Sequence, residues 1–158
     1  MAIDQAKTAG YALFCDKELE THGVVELGLK NKVYEDILFH AQQKIKELIA
    51  NLKAEYVVIE DIQQQNRNVT TYKKLAMLMG SILCLLQEMD IPHMVVPPSK
   101  WKSYCGIKGK KRAEQKANTI SFVETQFGLA GISEDMADAI CLGWYGVHNM
   151  DNEKGVAR

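Results

Sequence analysis

The stretch SEDMADAICLGWYG, residues 133–146, has two characters. From Ala137 onward it is mostly apolar or small, the pattern of a helix that packs into a core. Yet Glu134 and Asp135 stand at its head, and Asp138 lies one turn in. Ser133 suits an N-cap, and acids in a first turn are favoured by the helix dipole. That accounts for Glu134 and Asp135. It accounts less well for Asp138, which sits among Ala137, Ala139 and Ile140. Residues three apart on a helix share a face, so Asp135 and Asp138 point the same way.

Two other segments end an apolar run on an acid. Asp4 closes the run in MAID, and Glu60 closes YVVIE, residues 56–60. A short continuous apolar run such as YVVI is expected of a strand covered on both faces. Strand C-termini in a sheet with parallel central strands gather at one edge, where sites form. Asp4 and Glu60 meet there if their strands are neighbours, and Asp135 with Asp138 completes the set. Four acids converging on a low-dielectric edge repel one another unless cations bind between them. Hard divalent ions with oxygen ligands, Mg²⁺ or Mn²⁺, answer that need. Two such ions can clamp a phosphodiester and activate water for in-line attack.

The rest of the chain reads outward from these segments. Residues 1–28 alternate strand and turn three times, with breaks expected at Gly10 and at ETHG, residues 20–23. Val33, Ile37, Ala41, Ile45, Leu48, Ile49 and Leu52 recur at helical spacing over 31–53. A second helix is expected over 69–89, a strand over 92–96 and a short helix or turn at SKWKSYC. The loop GIKGKKR then leads to helices over about 112–127 and 134–148. Strands first, then helices alternating with strands, predict one α/β domain with a mixed sheet, over residues 1–150. Residues 151–158 read as a polar C-terminal tail.

Composition bounds the function. The 158 residues are 47% hydrophobic and 25% charged, ordinary for one globular domain with a core. The net charge of −1 names no partner, but its distribution does. Lys100 to Lys116 holds seven basic residues against Glu114, a local +6 on a body of −7. A basic segment on an acidic body suggests a phosphate-binding strip. The four cysteines form no CxxC pair and read as reduced thiols in a cytoplasmic compartment, not as a zinc site. The chain opens directly on a strand-like run, and its longest apolar run, 75–86, is too short to span a bilayer, so no membrane partner is expected.

The order strand-Asp, strand-Glu, helix-DxxD resembles that of the RuvC-type Holliday junction resolvases of the ribonuclease H-like, or retroviral-integrase, superfamily. The resemblance runs through AIDQAKTAGYAL, VVIEDIQQQNRN, LAMLMGSIL and DMADAICLG. It rests on Asp4 followed by Gly10 and Tyr11, on Glu60 in VIED, and on Asp135 and Asp138 in DMADA. It implies a five-stranded mixed β-sheet flanked by α-helices. It implies a homodimer with two divalent-metal sites per active centre, and paired nicks in a four-way DNA junction. The four acids would then be both catalytic residues and metal ligands. The chain departs from the family at Gln5-Ala6, which replace its usual Pro-Gly, and in lacking a bulky aromatic shortly after Glu60. The pattern is closer to the phage branch of the family.

The resemblance also points to DNA contacts. Lys102 matches one position where the family's lysines contact DNA near the cut. Lys110, Lys111 and Arg112 compete for a second, with Lys108 in the same loop. Gln63 and Arg67 follow Glu60 closely enough to meet a junction centre. Trp101 and Tyr104 are suited to core or interface packing more than to stacking on bases. Independently of resemblance, the helix at 69–89 is apolar nearly all round. Leu75, Leu78, Met79, Ile82 and Leu86 form one stripe, expected to face a second copy, and Gly80-Ser81 permits close approach.

The expected activity is therefore that of a crossover junction endodeoxyribonuclease acting on Holliday junctions and other branched DNA. Two alternatives stay open: a junction-binding protein with little cleavage, and an RNA-processing nuclease of the same fold. An actin-like phosphotransferase also places an Asp on its first strand, but it needs glycine-rich phosphate loops and a second lobe.

Overall fold

A computed structural model describes residues 1–28, 33–63 and 69–153, without the side chains of 151–153. Its centre is the apolar run before Glu60. Strand β4, Val57–Glu60, lies between β1, Ala2–Asp4, and β5, His93–Val96, and is parallel to both. β1 pairs antiparallel with β2, Thr8–Cys15, which pairs antiparallel with β3, Glu18–Glu26. The sheet order is β3-β2-β1-β4-β5, five strands and mixed, as expected.

Alternation along β4 sorts the core into two layers. Val57 and Ile59 pack with Ile3 against α1, Tyr34–Leu52, and α2, Val69–Glu88, through Ile45, Ile49, Ile82 and Leu86. Val58 and Ala2 face the opposite way. There they meet α3, Pro98–Tyr104, α4, Arg112–Phe127, and α5, Glu134–Glu153, through Trp101, Val123, Ile140 and Leu142. A strand covered on both faces must be apolar at every position, which is why VVI carries no alternation.

The N-terminal breaks fall elsewhere than expected. Gly10 lies inside β2, and ETHG lies inside β3. The hairpin turn is Asp16-Lys17, whose positive φ angles of 47° and 71° give the paired left-handed conformation that a two-residue hairpin needs. Gly10 serves packing instead. A Cβ there would stand 1.8 Å from the main-chain oxygen of Asp135, so only glycine admits the head of α5.

The expected helices form with small boundary changes. Ala41, Ile45 and Ile49 are the buried stripe of α1, while Val33 lies before its first residue and is exposed. α5 is longer than expected and runs to Glu153, into the stretch read as a tail; residues 154–158 lie outside those described. The Met136 amide donates to Ser133 Oγ at 3.2 Å, the expected cap. All four cysteines are free, Cys105 and Cys141 buried, Cys15 and Cys84 exposed.

The apolar stripe of α2 is used within the chain. Leu78, Ile82 and Leu86 are buried against α1 and the sheet, Met79 is half-buried, and Leu75 borders a cavity described below. The face of α2 left to solvent is instead Val69, Lys73, Met77, Gly80 and Cys84, at helical spacing. By length and composition this 20-residue helix is apolar enough to cross a bilayer. Of its apolar residues, Leu78, Ile82, Leu85 and Leu86 are buried in the core.

Candidate active site

β1 and β4 are adjacent and parallel, so their C-terminal residues, Asp4 and Glu60, emerge side by side. Asp4 also pairs across β2 with Gly10, against which the first turn of α5 docks. With the packing of Ile140 and Leu142 in the core, this contact brings Asp135 and Asp138 to the same edge. All four carboxylates line one cavity of about 740 Å³. Glu134 does not line the cavity and forms an ion pair with Lys116, which does.

Burial dominates the electrostatics. It pushes Asp4 up from 3.8 to about 7, helped by the neighbouring charges of Glu60 and Asp135. Asp138 is pushed up to about 6 by burial and by Asp4. Glu60 is also raised by burial, against the hydrogen bond it accepts from Trp101. The proximity of Glu60 and Asp4 adds to the effect of burial on Asp4, as for two carboxyls that share one site. These are the responses of carboxylates crowded without enough positive charge.

Glu60 is held from two sides. Its Oε1 accepts the indole N–H of the fully buried Trp101 at 2.7 Å. Its main-chain oxygen accepts the side-chain amide of Gln5 at 2.6 Å. Lys102 also lines the cavity, its Nζ 3.3 Å from Gln115 Oε1 and 5.2 Å from the Trp101 ring centre.

The basic residues divide into two groups. Arg112 and Lys116, four apart on α4, line the cavity with Gln115 and Thr119. Lys108, Lys110 and Lys111 are exposed on the preceding loop and do not line it. That loop is stapled to α4 by Glu114, which accepts the amides of Lys110 and Lys111, and by Asn118, which donates to the Lys108 oxygen. Gln63 is exposed at the cavity rim, while Arg67 lies outside the described residues. The sequence reading overlooked Gln5, Gln115 and Thr119 and gave Lys116 no site role. The helical spacing of Arg112, Lys116 and Thr119 would have placed all three on one face. Gln5 carried no comparable signal.

The donor set suits hard divalent ions: oxygen atoms only, partly buried, with acidities that show unmet negative charge. As they stand, no three acidic, histidine or cysteine side chains among the described residues close around one point. Glu60 is engaged by Trp101.

Comparison with solved structures places the fold. RuvC of T. thermophilus in complex with Holliday junction substrate matches with a TM-score of 0.76 and 17% identity, over 95% of this chain and 92% of that one. A second Thermus thermophilus RuvC structure matches at 0.70 and 16%, over 95% and 93%. The yeast mitochondrial Holliday junction resolvase Ydc2 matches at 0.61 and 14%, over 98% and 79%. No curated protein matches the sequence. The chain thus has the ribonuclease H-like fold of the RuvC-type Holliday junction resolvases. By sequence it belongs to the family described as Lactococcus phage M3 protein, whose model matches residues 1–148.

Proposed function

We propose that the chain is a divalent-metal-dependent endonuclease that cuts four-way DNA junctions, and related branched DNA, one strand per subunit. The observation that carries this reading is one cavity walled by Asp4, Glu60, Asp135 and Asp138 and flanked by Lys102, Arg112 and Lys116. The four carboxylates would hold two Mg²⁺ or Mn²⁺ ions. Bound there, the ions would polarise the scissile phosphodiester and ease deprotonation of water.

The protein's own groups do the rest. Trp101 and Gln5 fix Glu60 on the edge of the sheet, and Gly10 lets α5 deliver its two aspartates. Lys102, Arg112 and Lys116 receive backbone phosphates, which positions DNA without reading its sequence. Lys108, Lys110 and Lys111, farther out, meet phosphates away from the cut, and Gln63 and Arg67 lie toward the junction centre. Cutting leaves a 5′-phosphate and a 3′-hydroxyl. The protein acts as a homodimer in the cytoplasm, paired through the solvent face of α2 around Met77, Gly80 and Cys84.

The test compares labelled four-way junction, linear duplex, fork and RNA duplex with EDTA, Mg²⁺ or Mn²⁺. Paired symmetric nicks in the four-way junction, only with metal and lost in Asp4→Asn, are expected. Tight binding with no cutting would make the chain a junction-binding protein, and cutting of RNA alone would make it an RNA nuclease.

A further inference from the structure

Gln5 follows the last residue of β1 and is only 6% exposed. Backbone pairing between β1 and β4 ends at Ile3 and Ile59. Beyond that pair, the Gln5 side chain continues it, its Nε2 donating to the Glu60 main-chain oxygen at 2.6 Å. The amide can be oriented only one way. Turned over, it would set two oxygens against each other at that distance. The other end of the amide is therefore an oxygen, and this Oε1 is buried, without a hydrogen-bond partner among the described residues, in a side chain that lines the carboxylate cavity.

A buried acceptor without a donor is costly, and native structures keep few of them. The neighbouring groups in the cavity supply a reason. Mg²⁺ gives up its hydration reluctantly and keeps several waters, each of which needs an acceptor. An uncharged oxygen adds one without adding to the repulsion among four carboxylates. We propose that Gln5 is a positioning residue of the metal centre, tying Glu60 to Asp4 through Nε2 and accepting a hydration water of the cation through Oε1. This rests on the metal-dependent reading of the same cavity.

The test is calorimetric titration of Mn²⁺ into the metal-free full chain, compared for the natural sequence, Gln5→Met, Gln5→Glu and Asp4→Asn. Gln5→Met removes donor and acceptor at nearly constant length, and is expected to weaken Mn²⁺ binding about tenfold, as loss of an outer partner does. Gln5→Glu keeps the side-chain length and an oxygen acceptor in the cavity. It is expected to stay within about threefold of the natural sequence. Urea unfolding without metal separates a purely structural role, which would lower the midpoint of Gln5→Met and leave its Mn²⁺ affinity unchanged; that result overturns the proposal. Should Gln5→Met fail to fold, a tenfold loss in Gln5→Glu overturns it instead. If the natural sequence binds no Mn²⁺, the metal reading itself fails and Gln5's role falls with it. If Asp4→Asn alone loses binding, only the role of Gln5 fails.

Discussion

The main-chain oxygen of Asp135 occupies the space beside Gly10 where any other residue would carry a side chain: a Cβ there would lie 1.8 Å away. Gly10 is paired with Asp4, so the contact stacks the head of α5 over the end of β1. Gly10→Ala must push that head off the sheet. The obstacle is backbone, which cannot rotate away as a side-chain tip can. A loss of about 2–3 kcal/mol is expected in urea unfolding, as for overpacking in a core, with Mn²⁺ binding weakened beyond detection.

The raised pKa values of Asp4 and Asp138 fix a pH dependence. Asp4, at about 7, and Asp138, at about 6, hold protons in the folded chain that the unfolded chain releases near its ordinary value of 3.8. Without divalent ions their contribution is full below about pH 4, falls as pH rises and is lost above about pH 7. The slope is about 1.4 kcal/mol per pH unit for each group protonated only in the fold. Urea midpoints at pH 5 and pH 8 in EDTA measure it. Mn²⁺ competes with those protons, so its affinity should rise through the same window.

Asp138→Asn removes one of the crowded charges. The metal-free protein at pH 8 is expected to gain about 1–2 kcal/mol in urea unfolding, since a neutral amide ends a repulsion. Junction cutting should be lost in the same variant. A fall in both stability and cutting would mean that Asp138 holds the fold rather than an ion.

Trp101→Phe withdraws the N–H donor from Glu60 Oε1. A hydrogen bond to a charged group and part of a buried side chain go together, so a loss of about 2–4 kcal/mol is expected in thermal or urea unfolding. That bond holds the Glu60 carboxyl down against burial, so its removal raises the Glu60 pKa further. The pH at which Mn²⁺ begins to bind should move upward.

Arg112→Ala and Lys116→Ala change the phosphate wall. Each is expected to weaken junction binding in EDTA across all sequences and to reduce the steepness of its salt dependence by about one unit. Lys116→Ala also breaks the pair with Glu134, whose partial exposure limits the stability cost to under about 1 kcal/mol. Fluorescence anisotropy over a salt series measures both.

Gly80 lies on the solvent face of α2, where an added Cβ meets nothing within 4 Å. Gly80→Arg therefore leaves the single chain folded, and arginine is the better helix former. Sedimentation should show a dimer for the natural sequence and a monomer for the variant, with cutting reduced to uncoordinated nicks.

Much of this protein was legible in its residues. The short continuous apolar run VVI suits a strand covered on both faces, and the spacing of Ala41, Ile45 and Ile49 suits one helical face; both form as expected. Acids placed where burial is expected marked Asp4, Glu60 and Asp138, because local patterning does not otherwise tolerate them. What only the tertiary structure decided depends on residues far apart in the chain. Gly10 read as a break because its reason is a helix 125 residues later. Gln5 stood out only as a departure from the Pro-Gly of the resembled family, because its partner is the backbone of another strand. The buried stripe of α2 faces its own sheet rather than a second copy. Periodicity tells which residues avoid water, since that depends on composition along one helix, but what covers them is set by how the elements pack.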